Sequence, residues 1–193
     1  MNDAPDCALR VARALAHAGL TPLVVDTRDR LFGKAAPQSL FDWRQQLARR
    51  QLLALPLEDV TGWHAPGAHA AAAGLLDAAR DYAALVFDCT PADAAATVHG
   101  AHESALLAVH PGSMQTIYAL LKTRAATGGL DAILTGEPGC CAQVGEACAR
   151  FLGATVAAAV SCIADENDAI AALAVRMAGE EPGCQPTYRT GNP

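Results

Sequence analysis

Three apolar runs end in residues that could do chemistry. "PLVVD" ends in Asp26, followed by Thr27, and "ALVFD" ends in Asp88, with Thr90 and Pro91 just beyond. "ALLAV" is followed by His110, Pro111 and Gly112. An aspartate closing a buried strand is where nucleotide-hydrolysing enzymes keep the carboxylate that holds Mg²⁺ through water. The same residue in the same place also caps the following turn, because its carboxylate accepts hydrogen bonds from nearby backbone N–H groups. A triphosphate site further needs a loop of the form G-x-x-x-x-G-K-[ST], whose N–H groups and lysine cradle the phosphates. No such loop is present. The Gly33-Lys34 pair has no glycine at the required spacing upstream and has Ala35 where the hydroxyl belongs.

Other groupings are less complete. "HGAHE" places His99 and His102 on one helical face beside Glu103, but no third Zn²⁺ ligand accompanies them, and a solvent-facing pair is the simpler assignment. His110 and Ser113 could be base and nucleophile, yet "HPGSMQ" is not a G-x-S-x-G elbow. Ser113 fits better as the cap of the next helix, its hydroxyl bonding an N–H two or three residues on. Acids in "DENDA" (Asp165–Ala169) suit the first turn of a helix through its dipole. Seven cysteines form no C-x-x-C pair. Cys7, Cys89, Cys141, Cys148 and Cys162 fall in apolar patterns and are expected as small buried hydrophobes in a reducing cytoplasm. No catalytic residue and no resident metal is assigned.

The elements that would position these residues alternate along the chain. Helices are expected over "CALRVARALAHAG", "LFDWRQQLARRQ" capped by Ser39, "HAAAAGLLDAARD", "MQTIYALLKTRA", "AQVGEACARFLG" and "DENDAIAALAVRMAG". Strands are expected over "TPLVVD", "LLALP", "YAALVFD", "SALLAV", "LDAILTG" and "ATVAAAVS", with "LEDVTGWHAPG" as loop. Strand–helix alternation without hairpin signals means βαβ units and a mostly parallel sheet covered on both faces.

Composition sets outer limits. The chain has 193 residues, 52% hydrophobic and 18% charged, which is a globular balance. Net charge is −6, and the densest basic stretch, with Arg44, Arg49 and Arg50, reads as a solvated helix face. Nucleic acid is therefore not an expected partner. No window approaches the roughly 18–20 apolar residues of a membrane span, and "MNDAPDCALR" carries no signal-type run.

The order of these pieces resembles the MinD/ParA class of deviant-Walker P-loop ATPases over about residues 8–178. "RVARALAHAGLTPLVVDT" is similar to the family's first helix and following strand, and "LLDAARDYAALVFDCTPA" to its Walker B strand with Asp and Thr-Pro. "SALLAVHPGSMQTIYALLK" matches a family segment at Pro111, Ser113, Tyr118 and Lys122. That wording, with "RFLG" before the last strand, is similar to the flagellar-number regulator branch, FlhG (FleN). The resemblance implies Asp26 as the activating carboxylate and Asp88, with Thr90 and Pro91, at the Mg²⁺ site. They are carried over either as relics and caps or as a surviving polar site. The chain departs from the family in four places. Only Met1–Asp6 precede the first helix, so the first strand, phosphate loop and deviant lysine have no counterpart. The second aspartate of the family's D-x-D is replaced in "DTR", the adenine-reading asparagine appears as Thr135 or Gly136, and no membrane-targeting helix is evident.

In the family the missing strand lies between the Walker B strand and the one matching "ALLAV". Its neighbours could close up, a partner chain could supply a strand, or the true start could lie upstream; the closed sheet is the expectation. The expected fold is thus a single three-layer α/β domain over residues 1–180, P-loop NTPase-like without its first strand and Walker A loop, with a mostly parallel sheet of about six strands. Residues 181–193 are expected as a disordered tail. The expected function is a non-catalytic, cytoplasmic regulator or scaffold of flagellar number or placement. It would act through protein partners, with a homodimer open, and without intrinsic membrane segment or cofactor. The alternatives are an ATPase binding ATP and Mg²⁺ at an atypical or incomplete site, and a regulator of another envelope assembly such as cellulose secretion.

Overall fold

The first helix, α1 (Cys7–His17), buries Leu9, Val11, Ala12 and Leu15. It stops where the amphipathic stripe ends. Gly19 takes φ +91, the Gly19 N–H bonds the Ala16 carbonyl at 3.0 Å, and the Leu20 N–H reaches the Leu15 carbonyl at 3.1 Å. This pairing closes a helix on a left-handed glycine. The turn delivers the chain into β1 (Pro22–Asp26), which is buried at every position.

The chain of this computed structural model is described over residues 7–32, 39–68, 74–90, 103–127 and 130–179. The remaining elements are α2 (Leu40–Ala48), β2 (Leu55–Leu57), β3 (Val60–His64), α3 (Leu75–Ala78), β4 (Ala84–Asp88), β5 (Ser104–Val109), α4 (Met114–Thr127), β6 (Asp131–Gly136), α5 (Pro138–Phe151), α6 (Ala154–Ala158), β7 (Val160–Cys162) and α7 (Glu166–Gly179). The strands form two sheets, β2-β3-β1-β4 and β5-β6-β7. All pairings are parallel except β2 with β3. Among the described residues no helix is long and apolar enough to cross a membrane.

The α/β class with mostly parallel pairing matches the sequence expectation; four details are corrected. First, β4 and β5 do not pair with each other, so among the described residues the strands fall into two sheets rather than one closed sheet. Second, "VTGWH" is a strand rather than loop, joined to β2 by the two-residue turn Glu58-Asp59. This hairpin carries no glycine or asparagine signal. Glu58 itself takes φ +55, and Arg13 pairs with both turn carboxylates, at 2.7 Å to Asp59. Third, "ATVAAAVS" is mostly α6, with a short β7 after it. Alanine is the best helix former, so an alanine-rich run holds a strand poorly. Fourth, the Ser113 hydroxyl turns back on its own loop: it accepts from the His110 N–H at 3.0 Å and lies 3.2 Å from the His110 carbonyl.

Helices cover both faces. α1 packs over β1 through Leu9, Ala12 and Val24, and α1 with α7 packs over β4 and β6 through Leu15, Leu173, Ala84 and Ile133. On the other face α2 and α3 cover β1 and β3 through Trp43, Leu47, Leu75 and Trp63. There α4 and α5 cover β5 and β6 through Ile117, Leu121, Val144 and Leu134. Ser39 caps α2 as expected and completes a capping box with Asp42. Ser39→Ala is expected to lower stability by about 1 kcal/mol, read as a shift of the urea midpoint. The Ser39 backbone N–H, then its hydroxyl, hold the Asp42 carboxyl below its ordinary value. The box therefore contributes above the ordinary carboxylate range and is lost as pH falls through the lowered value.

A candidate polar site at the carboxyl ends of three strands

Asp26, His64 and Asp88 close three adjacent strands, because the register pairs Asp26 with His64 on one side and with Asp88 on the other. Ligands bind at this edge of an open α/β sheet. Asp26 is fully buried. Its carboxylate accepts from the backbone N–H groups of Arg28 and Arg30 on Oδ1, at 3.3 and 3.2 Å, and of Leu31 and Phe32 on Oδ2, at 3.0 and 3.4 Å. The buried charge thus organises the loop that follows it, as a strand-terminal cap does.

That loop sends Arg30 back across the sheet. Its Nη2 lies 2.7 Å from both oxygens of Asp88, and its Nε donates to Oδ2 at 3.0 Å. Arg28 Nη1 stands 4.0 Å from the same carboxylate, and the Thr27 hydroxyl donates to the Asp88 backbone carbonyl at 2.7 Å. Planar guanidinium against carboxylate is the strong form of such a pair. Thr90 lies half-buried just beyond Asp88, and Pro91 falls outside the described residues. Asp26 and Asp88 therefore lie side by side, each with its oxygens engaged by the same six-residue loop, 27–32.

Asp29, with φ +56, turns its carboxylate to within 3.1 Å of His64 Nε2, and Phe32 stacks on the His64 ring at 5.8 Å. Ligand atoms of Asp26, Asp29 and His64 lie within 4.8 Å of one another. An N/O donor set of this kind suits Zn²⁺ or Mn²⁺. A cation there competes with four backbone N–H groups for Asp26, which leaves Asp29 and His64 as its principal donors. Sequence reasoning missed Asp29, Arg30 and His64. The signal available was "VTGWH", whose alternation carries His64 to the same edge as Asp26.

The remaining candidates separate from this cluster. His110 is bonded to Ser113 through its backbone N–H, so the ring and the hydroxyl form no base–nucleophile pair by that bond. His99 and His102 lie outside the described residues, and Glu103 is paired with Arg124. Cys140, Cys141 and Cys148 are buried, Cys7 and Cys89 are half-buried, and Cys162, expected inside, is exposed. Burial, then a bond to Glu166, pushes the Cys7 thiol up to about 11, and burial raises Cys141 and Cys148 as well. These thiols stay protonated near neutral pH and pack as small hydrophobes. Compared with known proteins, the chain matches no protein-family model and no curated sequence.

Proposed function

We propose that the chain is a non-catalytic, MinD/ParA-like regulatory or scaffold protein, working through protein partners in flagellar number or placement. The observation that carries the non-catalytic part is the bidentate Arg30–Asp88 pair. In an ATPase of this type the carboxylate at the Asp88 position faces water and Mg²⁺. Here a guanidinium sits on both of its oxygens, and a cation approaching Asp88 meets that positive charge first. Asp26 is committed to its own loop in the same way. The flagellar assignment rests on the resemblance of "SALLAVHPGSMQTIYALLK" and "RFLG".

Thermal unfolding with and without ATP and Mg²⁺ tests the first part. A native-state ligand at a hundred times its Kd adds about 2.7 kcal/mol. No shift is expected at millimolar ATP. A clear shift that disappears in Asp88→Ala would instead make the chain an ATP-binding protein. For the flagellar part, deletion of the gene is expected to change flagellar number or position, and an unchanged count removes that assignment.

A further inference from the structure

Asp26 shapes the loop after β1 as well as anchoring it. Its oxygens take the N–H groups of Arg28, Arg30, Leu31 and Phe32, and within that curl Asp29 turns with φ +56. Asp and Asn adopt this left-handed backbone more readily than other residues with a side chain. The turn brings the Asp29 carboxylate back over the sheet, to 3.1 Å from His64 Nε2. The Asp29 side chain is 64% exposed and that of His64 only 4%, so the pair joins a buried imidazole to a carboxylate with room to adjust.

The imidazole is held in place from the same loop. The Phe32 ring stacks on it, 5.8 Å between centroids and 26° between planes. Phe32 reaches that position because β3 carries glycine at 62. A Cβ there would stand 2.5 Å from Phe32 Cζ.

Three donors converge here, Nε2 of His64 and a carboxylate oxygen each from Asp26 and Asp29, all within 4.8 Å of one another. Two carboxylates this close repel, and a dication between them turns the repulsion into attraction. Ligand atoms on one tetrahedral Zn²⁺, each at about 2.0–2.2 Å, stand about 3.3–3.6 Å apart. His64 Nε2 and Asp29 are already near that separation. An imidazole in the set favours Zn²⁺ over Mg²⁺ and Ca²⁺, which take oxygen donors.

We propose that this corner is a Zn²⁺ site. His64 Nε2 and the Asp29 carboxylate are the direct ligands, and water completes the tetrahedron. Asp26 keeps its backbone N–H bonds and supplies a buried negative charge beside the ion. The ion ties loop 27–32 to the end of β3, as the Arg30–Asp88 pair ties it to the end of β4. Asp88, on which the non-catalytic reading turns, is not among the three donors, so the ATP measurement and the metal measurement fail separately.

Co²⁺ is the probe. Its visible bands report the ligands, and a near-ultraviolet charge-transfer band exposes binding by any of the seven cysteines. The full chain, stripped with a chelator and kept reduced, is expected to take up a single Co²⁺ with weak visible bands and no thiolate band. Zn²⁺ displaces it and Mg²⁺ in large excess does not. Asp29→Asn suits the same φ and lies at an exposed position, so the metal-free thermal midpoint should stay where it is. Its Co²⁺ affinity is expected to fall at least about tenfold. His64→Gln is expected to lose affinity in the same way, and Cys162→Ser, at the exposed thiol, is expected to keep it. The proposal is overturned if no Co²⁺ binds, if the bound ion shows the thiolate band, if Mg²⁺ displaces it, or if Asp29→Asn binds as tightly as the unaltered chain.

Discussion

Asp26→Asn is expected to cost about 3–5 kcal/mol of unfolding free energy, although it changes one atom and almost no volume. The carboxylate is fully buried and accepts from four backbone N–H groups, two on each oxygen. An amide keeps one acceptor oxygen and turns an NH₂ group toward two of those donors. Two buried N–H groups then face another donor, each costing about 1–3 kcal/mol, and the other two lose a charged acceptor. The loop 27–32 should loosen as a unit, taking Arg30 off Asp88. Urea unfolding would show a lower midpoint at unchanged slope. Asp88→Asn should cost less, because its partner is a side chain that can rearrange toward water. A loss under about 0.5 kcal/mol for Asp26→Asn would mean that the loop is held by something other than this carboxylate.

Which strands end the sheet's carboxyl edge was legible wherever an apolar run stopped at a polar residue or glycine. "PLVVD", "ALVFD", "SALLAV" and "DAILTG" all became strands at those limits. The placement of Asp26 beside Asp88 followed from parallel pairing of such runs. What the loop does with them was not legible. Arg30 reaches Asp88 across 58 positions of sequence, and nothing in "TRDRLF" states which way its side chains turn. The hairpin β2–β3 was hidden because its turn uses Glu58-Asp59 and relies on Arg13 of α1 to hold those charges. α6 was misassigned because "ATVAAA" has no polar face to give a period; its helical form follows from alanine's backbone preference. The separation of β4 from β5 is a long-range property, and strand runs alone carry no record of which neighbours they find.

Asp88 also has a structural role of its own. It is mostly buried, at the end of an apolar strand, and such a charge persists only with a partner. Arg30 supplies it, and in doing so ties the loop after β1 to the end of β4. The pair thus has a structural reason to exist that needs no nucleotide. Asp29, from the same loop, turns the other way, its carboxylate 3.1 Å from His64 Nε2.

Gly136→Ala is the second substitution expected to be severe, at about 3–5 kcal/mol, and it concerns the place where the family resemblance expects an adenine-reading side chain. Gly136 closes β6 with φ +111, outside the range of ordinary L residues, and a Cβ there would lie 2.6 Å from the Val109 carbonyl oxygen. Val109 is its register partner on β5, and that oxygen already accepts from the Glu137 N–H at 3.1 Å. Backbone strain of about 1–3 kcal/mol adds to an overlap with backbone that no side-chain rotation relieves. Gly139→Ala makes the control: it lies in the first turn of α5 with nothing within 4 Å of a Cβ, and should be neutral or stabilising by up to about 1 kcal/mol. Urea midpoints of the two variants measured side by side check the contrast, and equal midpoints would refute it. The neighbouring candidate is no more available, since Thr135 is buried and its hydroxyl donates to the Ala164 carbonyl at 3.2 Å. A larger side chain at 136 meets the same carbonyl that alanine meets. The close approach of β5 and β6 at this edge therefore leaves position 136 no room for a side chain, while the Arg30 guanidinium occupies both oxygens of Asp88.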